Sequence, residues 1–164
     1  EGTPLGGIHW GIATDGERVF AAINDPVFGS APRKPGVFAF DIKTGKPVWG
    51  YDAKPNCEGE RASLVSGCAG RYGFSAAPVV VDGAVIAATL GGEVFVFDSA
   101  TGDVLKRIDT IGKHDTINGV EAKGGSIDAH GLSVGGGVVL VNSGYGQFGQ
   151  TPGNALIAFK PRAD

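Results

Sequence analysis

Through most of the chain hydrophobic and polar positions alternate with period two, in short runs broken by Gly, Asp and Pro. This is the pattern of half-buried strands, in which successive side chains face opposite sides. The run Val37-Phe38-Ala39-Phe40-Asp41 is followed by Ile-Lys-Thr-Gly and then by a second run, Pro47 to Asp52. The Asp carboxylate can accept backbone N–H groups of the turn, and the Gly takes the positive φ that a bulged hairpin demands. The same arrangement returns 57 residues later. Of the seventeen positions 37–53 and 94–110, seven are identical: Val37/Val94, Phe38/Phe95, Phe40/Phe97, Asp41/Asp98, Thr44/Thr101, Gly45/Gly102 and Asp52/Asp109.

Upstream of each copy lies another strand pair turning on Asp-Gly, at 15–16 and at 82–83, a hairpin signal. A third unit follows in "DAHGLSVGGGVVLVNSG" and "NALIAFKP", with Phe159 where Phe40 and Phe97 stand but Lys160 in place of the Asp. Units of four strands, about 60 residues apart, predict β-propeller blades. The expected fold is therefore all-β, with four antiparallel strands per blade, about three blades and an incomplete ring. All of residues 1–164 form one partial propeller: blade one over 8–53, blade two over 74–110 and an incomplete blade three over 126–160. A full ring closes with about four to eight blades, so the remaining blades are expected from the same precursor or from another chain.

Composition narrows this picture. With 42% hydrophobic and 19% charged residues the chain can bury a core, and 29 glycines fit a fold of many tight turns. A net charge of −3, with no basic stripe, excludes a nucleic-acid footprint. No run reaches the roughly 18 apolar residues of a spanning helix. Cys57 and Cys68 close a short polar loop and read as a disulfide, which implies an oxidising compartment. Two unrelated thiols are the alternative, and the spacing fits no common zinc pattern.

The unit "FDIKTGKPVW" resembles the repeat of the pyrroloquinoline quinone (PQQ) dehydrogenase propellers, with Trp49 where those proteins place the tryptophan that docks one blade on the next. Lys106 occupies that place in the second copy, so the next junction must pack differently. The stretches "GGIHWGIATDG" and "GGSIDAHGLSVGGGVVLVNSGYG", with the Cys57/Cys68 loop, are similar to the C-terminal part of the polyvinyl-alcohol-dehydrogenase-like quinoproteins. The resemblance implies oxidation of a secondary alcohol with PQQ and Ca²⁺, electron transfer to a c-type cytochrome, and a periplasmic or secreted location. The blade motif is shared with non-catalytic propellers such as the outer-membrane assembly lipoprotein. A scaffold for protein–protein contacts in the cell envelope is therefore the alternative function.

Aligning the units puts His9, Ala76 and His130 at equivalent positions near the start of each innermost strand, facing the central funnel. Long connections at 24–36, 54–73, 111–127 and 143–154 open on the same side, where function usually resides. PQQ is a flat tricarboxylate, which calls for an aromatic plane and cations. The candidates are Trp10 for stacking and Asp128 as general base or Ca²⁺ ligand. Asn24 and Asn118 are candidates for hydrogen bonds to the quinone or metal, and His9, His130 and Tyr145 for lining the pocket. Lys34 and Arg71 are the loop cations most easily aimed at a carboxylate. The structural alternative is that the two histidines serve only inter-blade hydrogen bonds. "GYGQFG" (144–149) spells G-x-G-x-x-G after a strand, but Pro152 and another strand follow where a dinucleotide site needs a helix.

Overall fold

The computed structural model describes residues 6–26 and 33–160. Its strands follow the chain as meanders. The first sheet is β1 (Ile12–Thr14), β2 (Arg18–Ile23), β3 (Gly36–Asp41) and β4 (Pro47–Asp52), hydrogen-bonded in that order. The second repeats it with β5 (Val79–Val81), β6 (Ala84–Ala88), β7 (Glu93–Asp98) and β8 (Val104–Asp109). The third holds β11 (Leu132–Gly135), β12 (Val138–Ser143) and β13 (Ala155–Phe159). All strand pairs are antiparallel, and among the described residues no pairing joins the first sheet to the third to close a ring.

The repeated turn is built as its residues require. Asp41 Oδ1 accepts the Thr44 amide at 2.7 Å and the Thr44 hydroxyl at 2.7 Å, while Gly45 sits at φ 68°. Asp98 Oδ1 accepts the Ala100 and Thr101 amides at 2.8 and 2.9 Å, with Gly102 at φ 79°. The pairing slips by a residue at Ala39/Phe40 and at Val96/Phe97, equivalent places in the repeat. These hydrogen bonds hold both carboxyls below their ordinary value of 3.8, chiefly through the Thr44 hydroxyl at Asp41 and the Thr101 amide at Asp98.

Stacking of the sheets makes two cores. Phe20, Ala22, Val37 and Ala39 of the first sheet pack against Phe74, Val85, Ala87, Phe95 and Phe97. The opposite face of the second sheet, with Ala76, Ile86, Ala88 and Val94, packs on Ile127, Leu132 and Val141 of the third unit. Each buried phenylalanine contributes roughly 2 kcal/mol by removal from water. Trp49 docks the first sheet on the second: its Nε1 donates to the Ser99 carbonyl at 3.0 Å, and its ring lies 5.8 Å from Phe20 and 6.0 Å from Phe97. A Cβ at Gly102 would stand 2.6 Å from the indole, so only glycine leaves room for it. Lys106, the residue at the Trp49 position in the second copy, is exposed, and the second junction is filled by aliphatic side chains with half-buried Phe159 against them.

Two features depart from the simple blade pattern. The connection 111–127 carries its own antiparallel ribbon, β9 (Gly112–His114) with β10 (Ala122–Gly124). The connection 54–73 carries one short helical turn, α1 (Arg61–Leu64), and the Cys57–Cys68 disulfide. No helix among the described residues is long and apolar enough to cross a membrane.

Candidate functional site

The innermost strands β1, β5 and β11 lie side by side, with β5 between the others. His9 and Ala76 stand three residues before β1 and β5, and His130 two before β11. Their chain segments border a cleft of about 1090 Å³ that draws on all three units. Its floor and near wall include His9, Trp10, Asn24, Ser75, Leu90 and Asp128. The disulfide loop, from Val65 to Arg71, and the blade-three loop, at Phe148 and Gln150, form the far wall.

Asp128 is the centre of the polar lining and is 6% exposed. Its Oδ1 accepts Trp10 Nε1–H at 2.7 Å, across 118 residues of sequence, and the Ala129 amide at 2.8 Å. Its Oδ2 accepts Gln150 Nε2–H at 3.1 Å. With two acceptor positions per oxygen, Oδ1 is filled and Oδ2 retains one. Ala129 takes φ 54°, the left-handed region that costs a non-glycine residue about 1 kcal/mol. Its carbonyl is tied to the Ala77 amide at 3.0 Å, so the strained turn that presents Asp128 is braced on the second unit.

Trp10 stands at the lip, 40% exposed, with the His130 ring 6.4 Å away. His9 Nδ1 and Ser75 Oγ form a hydrogen bond at 3.1 Å. Asn24 is 5% exposed, and its backbone pairs with Gly7. Its Oδ1 is buried with no hydrogen-bond partner among the described residues, and a Cβ at Gly73 would stand 2.6 Å from it. A buried carbonyl oxygen without a donor is costly.

The far wall is fastened from both sides. Ser66 donates twice to the blade-three loop, from its amide to Thr151 Oγ1 at 2.8 Å and from its hydroxyl to the Gly149 carbonyl at 3.0 Å, and Arg71 donates to the Phe148 carbonyl at 2.9 Å. Behind it, Arg61 of α1 donates to the Gly91 carbonyl at 2.7 Å and pairs with Asp109 and with Glu93, the latter at 3.8 Å. Glu93, 5% exposed, also takes Arg107 at 2.6 Å and Asn56 at 2.9 Å.

Of the residues expected from sequence, His9, Trp10, Asn24, Asp128 and Arg71 line this one cleft, and His130 packs beside Trp10. Tyr145 and Asn118 are not among the lining residues. The Tyr145 amide donates to the Ser126 carbonyl at 2.9 Å, and Asn118 is an exposed turn residue whose Oδ1 accepts the Val120 amide at 3.2 Å. Lys34 is exposed and uses its backbone amide on Asp25 Oδ2 at 2.8 Å. Residues 27–32 of the first long connection lie outside the described residues. Sequence reasoning missed Ser75 and Gln150. Neither carried a signal beyond its polarity in a connection between strands.

No protein-family model matches the chain. It is 36% identical over 169 aligned residues to a polyvinylalcohol dehydrogenase of Sphingopyxis sp. (strain 113P3), covering 96% of this chain and 25% of that protein. The chain thus spans about a quarter of the length of the curated relative it matches. Among solved structures, a europium-containing methanol dehydrogenase superposes with a TM-score of 0.56 at 15% identity, over 94% of this chain and 30% of that one. BamB from Moraxella catarrhalis does so with a TM-score of 0.52 at 18% identity, over 80% of this chain and 33% of that one. At these identities the two structures speak to the propeller fold alone.

Proposed function

Since the chain belongs to the PQQ-dehydrogenase propeller family, alongside the polyvinylalcohol dehydrogenases, we propose that its cleft is one wall of the PQQ site of a quinoprotein alcohol dehydrogenase. The observation that carries this reading is the Trp10–Asp128 hydrogen bond, which fixes an aromatic plane at the mouth of a cleft lined by three blades. An indole whose N–H is anchored to a carboxylate presents its face at little further entropic cost, which suits stacking against a flat ring system.

The donor set fits the group in part. Asn24 Oδ1, buried and without a donor, suits a cation or a ligand hydrogen-bond donor. Arg71 is the one cationic side chain among the described lining residues, so further cations for a tricarboxylate would come from the remaining blades. When bound, PQQ supplies the acceptor for the two electrons removed from the alcohol. Trp10 orients the ring, Leu90 and Phe148 exclude water along the walls, and the free acceptor position on Asp128 Oδ2 takes the hydroxyl proton or contacts Ca²⁺. The substrate is a secondary alcohol, electrons leave to a c-type cytochrome, and the protein works in the periplasm or outside the cell, where the Cys57–Cys68 disulfide is stable.

The test is a titration of the chain with PQQ and Ca²⁺, following tryptophan fluorescence, with molar mass read by light scattering. Saturable quenching at micromolar PQQ, lost in Trp10→Phe, is expected. A folded, closed assembly whose fluorescence ignores PQQ, or a Trp10→Phe variant that binds as tightly as the parent, refutes the assignment and favours a non-catalytic propeller.

A further inference from the structure

A carboxylate that must hold an indole in one plane has to be held itself. Rotation of Asp128 about its terminal torsion is soft, and it would swing Oδ1 away from the Trp10 N–H. The Ala129 amide opposes this only at Oδ1, the oxygen that Trp10 also uses, and so anchors one end of the carboxylate. The other end, Oδ2, is held by Gln150 Nε2 at 3.1 Å, and two anchored ends fix the plane of the carboxylate.

Gln150 is well suited to the task. It is 7% exposed, and its other end, Oε1, accepts the Phe148 amide at 2.6 Å. A carboxylate acceptor on one side and an N–H donor on the other allow only one amide orientation. The loop carrying it is pinned to the disulfide loop through Thr151, Gly149 and Phe148. We propose that Gln150 is a positioning residue, which fixes the Asp128 carboxylate and, through it, the plane of Trp10 in the cleft. Its importance for cofactor binding rests on the PQQ reading above. The Gln150–Asp128–Trp10 linkage itself does not.

The chain has two indole N–H groups, which makes the linkage directly observable by ¹H–¹⁵N NMR. Trp10 donates to Asp128 and Trp49 to the Ser99 carbonyl. In Gln150→Met, which keeps the length but neither polar end, the Trp10 indole signal is expected to shift and its proton to exchange ~10-fold faster, the effect of loosening a hydrogen bond to a charged group. The Trp49 signal should stay in place. Gln150→Glu retains an acceptor for the Phe148 amide, so the loop keeps its bond while the amide donor to Asp128 is gone. It should move the Trp10 signal in the same way. In an Asp128→Ala background, Gln150→Met should have no further effect on Trp10, since coupled residues do not act additively.

The proposal is overturned if the Trp10 signal is unchanged in both Gln150 variants, if both indole signals move together, or if Gln150→Met acts as strongly without Asp128 as with it. PQQ affinity is measured in parallel and is expected to fall about 10-fold in Gln150→Met. A closed parent assembly that binds no PQQ removes the cofactor reading, while the indole signals still decide the linkage.

Discussion

The duplicated turn provides its own control for the energy of blade docking. Gly45 and Gly102 occupy equivalent positions, at φ 68° and 79°, but a Cβ meets nothing within 4 Å at Gly45 and the Trp49 indole at 2.6 Å at Gly102. Alanine at either position adopts the left-handed conformation at a cost of about 1 kcal/mol, and the effect on the unfolded chain is the same. Gly102→Ala must in addition push Trp49 off its seat. That loosens the bond to the Ser99 carbonyl, worth about 1 kcal/mol. It also disturbs ring contacts with Phe20 and Phe97 of roughly 0.5 kcal/mol each. Gly102→Ala should therefore be less stable than Gly45→Ala by about 2 kcal/mol, close to 1 M in the urea midpoint at ordinary denaturant slopes. Urea unfolding followed by circular dichroism and by tryptophan emission measures both. Midpoints within about 0.2 M of each other would refute the claim that Trp49 and Gly102 together dock the first two sheets.

Two further outcomes follow from charges described above. Glu93→Ala takes the buried partner from Arg107, whose own side chain is 47% exposed, while Arg61 keeps its pair with Asp109, so a screened loss of about 1.5 kcal/mol is expected, read by the same unfolding assay. A loss under about 0.5 kcal/mol would mean that this ion-pair cluster does not help to hold the far wall. Asp41 and Asp98 have folded pKa values below 3.8, so the folded chain binds fewer protons there than the unfolded one. Their contribution is complete above about pH 4 and is lost as pH falls through the folded values. Asp41→Asn/Asp98→Asn should flatten the fall of stability between about pH 4 and pH 2. An unchanged acid slope would rule out these two turns as its source.

The sheets were legible because each strand carries its own alternation and each hairpin its own Asp-Gly or Asp-x-x-Thr-Gly turn. These are local signals, and they repeat. Trp49 was legible through the resemblance of its repeat to the PQQ-dehydrogenase blades, whereas nothing in the sequence marked Gly102 as the residue that makes room for the indole. The β9–β10 ribbon was not, because segments such as Gly-Lys-His and Ala-Lys-Gly have no apolar alternation and are held by pairing with each other. The repeat also hid a difference in burial. Phe95 and Phe97 are in the core, whereas Phe38 and Phe40 are half-buried and Val37 and Ala39 fill the core instead, because the second sheet has a neighbour on both faces. At the cleft, alignment of the units brought His9 and His130 to corresponding places. Gln150 and Ser75 act through partners 22 and 66 residues away, and no periodicity reports such a contact.

The bond between Trp10 and Asp128 joins the first unit to the third over the top of the second. It cannot form until two separate packing interfaces have closed, and it parts when either slips, because its two ends have no other means of meeting. Local unfolding of any one sheet is therefore felt at the cleft before it is felt across the remaining hydrophobic contacts. The same 118-residue span makes this one of the most expensive contacts in the chain to assemble and places it late in folding. A ligand that grips the indole thus draws on the integrity of the entire arc of sheets, and in binding returns stability to all of it.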